Sequence, residues 1–372
     1  MVECLRADSG KVKFMKVGIV GLPGSGKTTL FRALTRGTVK TDDFGEAHVG
    51  VVHVPDPRID FFAVEYKPKK TTYANIEFID GAAKIAQEDS RTKFGSDFFA
   101  DVRQVDALAH VVRGFVSAAG DAPNPTSDAQ ALNDELLLAD LQMVENRMER
   151  IEKQLHGVKK GTTTPATIEM ALLERMKALL EEGKSLKAVE FTVDEEKSLR
   201  GYDFLTLKPM MLVLNIAEDE IGGSSEISQR FSVYCEEAGL PGFTLCAKVE
   251  MEVAELSDEE EAEFLGSMGI AEPARNVLIQ ACYRSLGLIS FITAGEPEVR
   301  AWTMKAGSKA LEAAGTIHSD LARGFIRVEV ANFKEVEVAG GWEAARQKGV
   351  TQLQGKEYIM QDGDVIYIRF KV

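Results

Sequence analysis

The sequence predicts an α/β fold in which a parallel sheet is interrupted by a long helical hairpin and followed by a small β-rich region. Short strands rich in Val and Ile alternate with helical stretches from residue 16 to about residue 113. Apolar residues at heptad spacing then follow Pro125, and beyond residue 288 the pattern returns to short strands and turns. A length of 372 residues suits two or three domains of ordinary size.

The predicted strands are short apolar runs bounded by Gly, Pro or Asp. They read KVGIVG, HVGVVHV, ANIEFID, VDALAHVV, PMMLVLNI (209–216) and FTLCAK (243–248). The acidic run Asp258 to Glu263 is expected to form the first turns of a helix, where carboxylates suit the helix dipole. Short strands such as IRVEV and VIYIRF, with the turn signal QDGD, predict the β-rich region.

The first strand leads into the most specific motif of the chain. Residues 21–28 read GLPGSGKT, which fits G-x-x-x-x-G-K-[ST] directly after a strand and directly before a helix. Its glycines let backbone N–H groups surround phosphate oxygens, and the helix adds its positive N-terminal end. We therefore expect Lys27 to reach the β and γ oxygens of a nucleoside triphosphate. The residues expected to surround the phosphates are Pro23, Gly24, Ser25, Gly26, Lys27, Thr28 and Thr29.

Two oxygen donors are candidates for binding Mg²⁺ beside the phosphates. They are the hydroxyl of Thr28 and the carboxylate of Asp80, which closes the strand ANIEFID. A turn-forming role is the alternative for Asp80. A further candidate segment follows MMLVL at a carboxyl edge, where open α/β sheets bind ligands. Its residues Asn215, Ile216 and Glu218 are expected to contact the base, with Asn215 either at the ring or bracing the loop.

A heptad seam predicts one long helix after Pro125. Its apolar positions are Leu137, Leu141, Val144, Met148, Ile151 and Leu155. Thr164-Pro165 starts a second helix with a capping hydroxyl, and Leu172, Met176 and Leu179 continue a seam up to Gly183. We expect an antiparallel coiled-coil hairpin, with a helical subdomain packed flat on the sheet as the alternative.

Composition excludes several classes of function. A net charge of −14 disfavours broad coating of nucleic acid, although Lys67, Lys69, Lys70, Lys159 and Lys160 are candidates for local basic patches. No apolar run approaches the roughly 20 residues that cross a bilayer, and no signal-peptide core is present, so we expect a cytoplasmic protein. The scattered cysteines Cys4, Cys235, Cys246 and Cys282 argue against disulfides or a zinc site.

Five stretches resemble the YchF family of Obg-like ATPases, within the translation-factor-related GTPases. They are VGVVHVPDPR (49–58), NIAE (215–218), TAGEPEVRAWT (293–303), AGTIHSDLARGFIRVEV and QDGDVIYIRF, and the resemblance runs from Met15 to Val372. It implies a Ras-like P-loop NTPase domain with a coiled-coil insertion, a C-terminal TGS domain of β-grasp shape, and binding to the ribosome. The expected boundaries are 15–125 and 190–287 for the nucleotide domain, 126–189 for the insertion and 288–372 for the TGS domain. The N-x-x-E element replaces the N-K-x-D that selects guanine, so the resemblance implies ATP as the preferred nucleotide.

The chain departs from the family pattern where hydrolysis would be controlled. Gly24 stands at the position of an asparagine linked to potassium activation, and Phe44 stands where the first switch presents a threonine, with Thr41 three residues too early. Asp80 to Lys84 reads DGAAK in place of D-x-x-G. Lys84 is a candidate catalytic cation beside Lys27, with a solvated lysine as the alternative reading.

These patterns predict a protein that binds and slowly hydrolyses ATP with Mg²⁺, and GTP as a second nucleotide, in association with the ribosome. Three alternatives remain open: a nucleotide-binding adaptor that has lost hydrolysis, a GTP-preferring GTPase, and a small-molecule kinase. The departures in the switches favour the adaptor, whereas Thr28 and Asp80 favour the enzyme. The sequence leaves the oligomeric state open, and we expect a monomer.

Overall fold

The computed structural model describes residues 15–39, 48–80, 96–156, 162–199, 201–223, 225–268 and 270–371. Its strands are β1 Lys16–Val20, β2 His48–His53, β3 Thr71–Thr72, β4 Asn75–Asp80, β5 Ala107–Arg113, β6 Met210–Asn215, β7 Gly242–Leu245, β8 Leu288–Thr293, β9 Val299–Lys305, β10 Phe325–Asn332, β11 Gln352–Gln354 and β12 Asp364–Phe370. Its helices are α1 Lys27–Leu34, α2 Pro57–Tyr66, α3 Ser96–Arg103, α4 Pro125–Leu155, α5 Pro165–Glu181, α6 Val193–Leu199, α7 Glu226–Ala238, α8 Ala247–Ala254, α9 Asp258–Ser267, α10 Ala274–Ser285, α11 Ala310–Ile317, α12 Ser319–Arg323, α13 Phe333–Ala339 and α14 Trp342–Gln347. Short 3₁₀ helices cover Leu186–Ala188, Leu205–Leu207 and Glu218–Glu220.

The chain forms two compact units. One contains Lys16–Gly50 and Phe78–Ala274, and the other contains Val51–Glu77 and Arg275–Val372. Throughout the part of the chain that is described, no helix is both long and apolar enough to cross a membrane.

The first sheet has the strand order β2-β4-β1-β5-β6-β7. β5 pairs in parallel with β1 and β6, and β6 pairs in parallel with β7. Every residue of β5 from Ala107 to Val112 is buried, as expected of a central strand with both faces covered. The α/β class is confirmed, and each of the strands predicted for this sheet is present. The predicted strand FTLCAK is too long, because β7 ends at Leu245 and α8 begins at Ala247.

Helix α4 spans 31 residues and begins where the sequence predicted, with Pro125 at its first turn and Asn124 capping its N-terminus. Thr164 caps α5 in a reciprocal capping box with Thr167. A buried cluster joins the second half of α4 to α5 and includes Leu137, Val144, Ile151, Leu172, Leu173, Met176 and Leu180. The seam of α5 therefore runs through Leu180, and the expectation for Leu179, which is only half-buried, is wrong.

The first half of α4 packs on the sheet instead. Leu132 and Leu136 join Leu108 in one buried cluster, and Ala129 joins Val112 in another. The predicted hairpin therefore describes the second half of α4, and the alternative of packing on the sheet describes its first half.

The root of the hairpin is held by the carboxylate of Asp140, which is wholly buried on α4. It accepts hydrogen bonds from the N–H groups of Leu205 and Thr206 at 3.0 and 2.8 Å and from the Thr206 hydroxyl at 2.9 Å. Arg103, at the end of α3, donates to it at 3.1 Å. Such a set of partners offsets the cost of burying a charge.

The second sheet is mixed and has the strand order β11-β10-β12-β8-β9-β3. β10 is antiparallel to β11 and β12, β8 is antiparallel to β9, and β12 runs parallel to β8. Residues of α11 and α12, such as Ala313 and Leu321, share its apolar core with Phe291 and Val328. This mixed sheet, with α11 and α12 packed on one of its faces, agrees with the β-grasp shape that the family resemblance implies.

Two stretches of that resemblance, PDPR and QDGD, meet in this second unit. Arg58 donates from Nε to Asp56 at 2.8 Å and from Nη1 to Asp362 at 2.8 Å. The other oxygen of Asp362 accepts from the N–H of Ser290 at 2.8 Å. Gly363 has φ of 83°, and a Cβ there would lie 2.8 Å from Arg58 Nη1. The PDPR and QDGD stretches therefore contact each other, and through them α2 is connected to β8 and to the start of β12.

Candidate functional site

The loop between β1 and α1 has a backbone that glycine alone allows. Gly21, Gly24 and Gly26 have φ values of 149°, 76° and 94°. A Cβ on Gly21 would overlap the carbonyl oxygen of Val111, and a Cβ on Gly26 would overlap the side-chain amide of Asn215. The motif glycines are therefore required by this conformation and its close approach to neighbouring strands.

The loop leaves the N-terminus of α1 open to a ligand. Gly26 provides no side-chain cap, and the first turn of α1 contains no acidic residue. Helix N-terminal N–H groups left in this way attract anions. Pro23, Gly24 and Thr28 are exposed, Gly26, Lys27 and Thr29 are half-buried, and Ser25 is buried.

Lys27 points back over the loop. Its Nζ donates to the carbonyl oxygen of Leu22 at 3.0 Å. Burial lowers the pKa of Lys27, and the negative charge of Asp80 partly opposes this effect. Asp80 itself is buried at the end of β4. Lys27, which is predicted to bind phosphate, and Asp80, which is predicted to bind the metal ion, therefore lie close enough for their charges to interact.

A buried histidine that sequence reasoning did not select lies beneath this loop. His110 on β5 pairs with Val20 of β1, and within the described ranges neither ring nitrogen has a hydrogen-bond partner. Burial, reinforced by the charge of Lys27, lowers the pKa of His110 to about 3. The ring is therefore neutral at physiological pH and adds no second cation beside Lys27.

Asn215 braces the loop. Its Nδ2 donates to the carbonyl oxygen of Ser25 at 2.9 Å, and its Oδ1 accepts from the N–H of Ala247 at 2.9 Å. Both polar ends of this buried side chain are therefore occupied by the protein. Of the two roles that the sequence left open for Asn215, the geometry favours bracing.

A cavity of about 590 Å³ adjoins the loop. This volume lies within the range of small-ligand sites. Its lining residues are Gly26, Thr29, Gly114, Phe115, Val116, Pro123, Asn215, Ile216, Ala217, Glu218, Asp219, Glu220, Ile227, Cys246 and Lys248. The cavity thus unites the phosphate loop with the segment that the sequence predicted to contact a base.

Lys248 is a lining residue that the sequence analysis placed in a strand. It is the second residue of α8, and its Nζ lies 3.2 Å from Oε2 of Glu218. This hydrogen bond raises the pKa of Lys248. Its position just after the last parallel strand, at a ligand-binding edge, is the signal that could have identified it. Phe115, Val116 and Pro123, from the segment after β5, were also missed.

Several sequence-predicted positions lie outside the described residues. These are Lys84 with Gly81, Ala82 and Ala83, the first-switch positions Thr41 and Phe44, and Lys159, Lys160 and Cys4. Among the residues that are described, no group of three or more His, Cys, Asp and Glu side chains could hold a metal ion. Cys235, Cys246 and Cys282 are buried.

Comparison with known proteins gives two matches to family models. Residues 16–154 match a family described as a 50S ribosome-binding GTPase. Residues 288–371 match the C-terminal family of YchF GTPases, which is described as a protein of unknown function.

Similar proteins align along nearly the whole chain. The ribosome-binding ATPase YchF of Bacillus subtilis (strain 168) is 39% identical over 96% of this chain and 100% of that protein. The protein of the same name from Escherichia coli O157:H7 is 37% identical over 96% of this chain and 99% of that protein. The structure of the Schizosaccharomyces pombe YchF GTPase matches with a TM-score of 0.81 at 28% identity, covering 95% of this chain and 97% of that chain. With this level of identity over 96% of its length, the chain belongs to the YchF family.

Proposed function

We propose that this chain is a ribosome-binding ATPase that binds ATP between the 21–29 loop and the 215–220 segment and hydrolyses it slowly. The observation that carries the proposal is the convergence of Gly26, Thr29, Ile216 and Glu218 on one cavity. The names of the B. subtilis and E. coli relatives supply the ribosome as the partner. Association with the ribosome in turn makes the cytoplasm the expected location.

The phosphate groups would lie at the loop and the uncapped start of α1. Lys27 would exchange the carbonyl oxygen of Leu22 for phosphate oxygens, gaining a charge-assisted hydrogen bond. Because Lys27 is partly desolvated, its attraction for a phosphate is weakened less by water than that of a surface lysine.

The donor set around the loop fits Mg²⁺. Thr28 offers an exposed hydroxyl, and Asp80 offers a buried carboxylate close enough to affect the titration of Lys27. Mg²⁺ prefers such oxygen ligands and commonly keeps the remainder as phosphate and water oxygens. Bound there, the ion would neutralise charge on the β and γ phosphates. We propose Thr28 and Asp80 as its protein contacts.

Adenine is the proposed base. A guanine-selective site uses an aspartate that accepts from the N1 and N2 groups together, and the extra methylene of Glu218 displaces the carboxylate from that register. Adenine offers a single exocyclic amine and loses less. Ile216, buried on the lining of the cavity, covers either purine by apolar contact. GTP is therefore expected to bind as a weaker second nucleotide.

Slow hydrolysis is expected because the sequence shows neither a water-orienting glutamine nor an arginine finger at the expected places. The second candidate function, an adaptor that binds nucleotide without hydrolysing it, is favoured by the sequence DGAAK at residues 80–84.

The test combines nucleotide titration calorimetry, single-turnover hydrolysis and ribosome co-sedimentation on one preparation. Lys27→Ala should abolish ATP binding, whereas Lys305→Ala, which removes an exposed lysine at the end of β9, should not. Measurable single-turnover hydrolysis below about 1 per second supports the enzyme, in line with unassisted rates. Tight ATP binding without any hydrolysis would establish the adaptor, and unchanged affinity in Lys27→Ala would overturn the phosphate site.

A further inference from the structure

A second cavity, of about 600 Å³, lies at the root of the hairpin. It is lined by α4, by the C-terminal end of α7 and by the two 3₁₀ helices Leu186–Ala188 and Leu205–Leu207. Met210 places it at the amino end of β6, whereas Asn215 and the phosphate loop lie at the carboxyl end, about 16 Å away along the strand. The cavity is therefore separate from the nucleotide site, and its volume lies within the range of small-ligand sites.

Hydrogen bonds fix one wall of this cavity. The hydroxyl of Ser185 donates to the carbonyl oxygen of Thr206 at 2.9 Å, and both residues line the cavity. The N–H and the hydroxyl of Thr206 in turn donate to the buried carboxylate of Asp140 on α4. The wall is thus formed without a ligand, as is usual for small-molecule sites.

The innermost part of the lining is apolar. Leu136, Leu205 and Leu212 line the cavity, and each is at most 2% exposed. The apolar part of a ligand would lose its contact with water against these side chains, which is favourable in proportion to the area covered.

The charged lining residues are Lys187, Lys208 and Glu237, so this part of a chain with a net charge of −14 has an excess of positive charge. Lys208 is half-buried, and its Nζ donates to the carbonyl oxygens of Arg103 and Val105 at 3.0 and 2.6 Å, which leaves one of its three donors. Lys187 is exposed at the edge of the cavity. Partial desolvation lowers the pKa of Lys187, and among the described residues no carboxylate opposes this effect.

An anion is the ligand group that these lysines favour. A partly desolvated ammonium gains more from an anionic partner than a fully hydrated one does, because water weakens the attraction less. The carboxylate of Glu237 would repel a ligand that carries several negative charges, and the leucines favour an apolar body. A single anionic group on an apolar chain satisfies both parts of the lining.

We propose that this cavity binds a small apolar carboxylate, with its chain against Leu136, Leu205 and Leu212 and its anionic group at Lys187 and Lys208. The site is independent of ATP binding, because the lining residues described for the two cavities do not overlap. A ligand there contacts α4 and the segment 205–212 together, so its binding should also stabilise the root of the hairpin.

The test is calorimetric titration of the full chain with decanoate, a straight-chain carboxylate, below the concentration at which it forms micelles. One molecule should bind per chain, and the uncharged decanamide should bind about tenfold more weakly because it cannot pair with the lysines. Lys187→Met keeps an apolar stem without the charge and should weaken decanoate binding about threefold to tenfold. Lys184→Met is the matched control, since Lys184 is an exposed lysine of the same segment that pairs with Glu182 and does not line the cavity.

A further variant, Ala188→Trp, closes the cavity and leaves its charge unchanged. Ala188 is an exposed lining residue, so the large ring should abolish decanoate binding while the circular dichroism spectrum stays the same. Hydrogen exchange locates the ligand, and decanoate should slow exchange in the segments 129–136 and 205–212.

Four results would each overturn the proposal. They are absence of decanoate binding, decanamide binding as tight as that of decanoate, equal losses in Lys187→Met and Lys184→Met, and protection from exchange confined to other segments. Full decanoate binding by a folded Ala188→Trp variant would overturn the location.

Discussion

The side-chain amide of Asn215 donates to the backbone carbonyl of Ser25 at 2.9 Å, across 190 residues of sequence. This bond joins the end of β6 to the loop that follows β1, and the same side chain continues to Ala247 at the start of α8. Asn215 therefore links the phosphate loop to the wall of the adjoining cavity. A change at either end should alter nucleotide binding.

Gly26→Ala should destroy the loop. Its φ of 94° strains any L side chain, and the added Cβ would overlap the amide of Asn215. We expect calorimetry to show loss of ATP binding. The free energy of unfolding should fall by about 1–3 kcal/mol. Gly37→Ala is the matched control, because Gly37 also has positive φ, 63°, and open space around it. Equal nucleotide affinities in the two variants would show that the contact with Asn215 is unimportant.

His110 should make the protein sensitive to acid. Its pKa is lowered to about 3, whereas an unfolded histidine titrates near its model value of 6.5. Between these values the unfolded chain binds a proton that the folded chain does not, so this contribution to stability is complete above pH 6.5 and is lost as the pH falls towards 3.

Urea unfolding of wild type and His110→Phe should therefore diverge below about pH 6.5, with the variant losing less stability by up to a few kcal/mol. The exposed His156 supplies the control, and His156→Phe should follow the wild type. Parallel pH profiles for wild type and His110→Phe would contradict the buried neutral ring.

Asp140→Asn should destabilise the root of the hairpin. The substitution places an amide among two backbone N–H donors and a hydroxyl, and it removes the counter-charge of Arg103. We expect a loss of about 2–4 kcal/mol in the free energy of unfolding, measured by chemical denaturation. Glu169→Gln is the control, since the Glu169 carboxylate, which pairs with Arg147 and accepts from the Tyr202 hydroxyl, is partly exposed, and its loss should cost about 1 kcal/mol. Equal losses in the free energy of unfolding for the two variants would contradict the prediction that Asp140 stabilises the fold more than a partly exposed carboxylate does.

Glu218→Asp should raise GTP affinity relative to ATP, because the shorter side chain restores the carboxylate position that suits the paired donors of guanine. Ile216→Lys should add to this effect by placing an alkyl stem and charge over the base. The measurement is the ratio of the two dissociation constants for each variant. Native binding of GTP at least tenfold tighter than ATP, about 1.4 kcal/mol in the opposite direction, would refute adenine as the base.

Local sequence determined the elements whose signals lie within a few residues. Asn124 with Pro125, and Thr164 with Pro165, place two helix starts, because capping groups and proline act on the first turn alone. The acidic run after Ser257 begins α9 for the same reason. The phosphate loop is equally local, since its glycines, lysine and hydroxyl occupy eight successive positions, 21–28.

The tertiary structure alone decided which distant residues meet. Lys248 reaches Glu218 because β7 ends at Leu245 and the next helix starts at the edge of the sheet, which no periodicity in FTLCAK reveals. His110 is neutral because strands on both sides exclude water from it. The buried charge of Asp140 is stabilised because two separate segments supply its hydrogen-bond donors. Desolvation and hydrogen-bond pairing depend on what surrounds a group in space, so the sequence determined the phosphate loop and the tertiary structure determined its electrostatic surroundings.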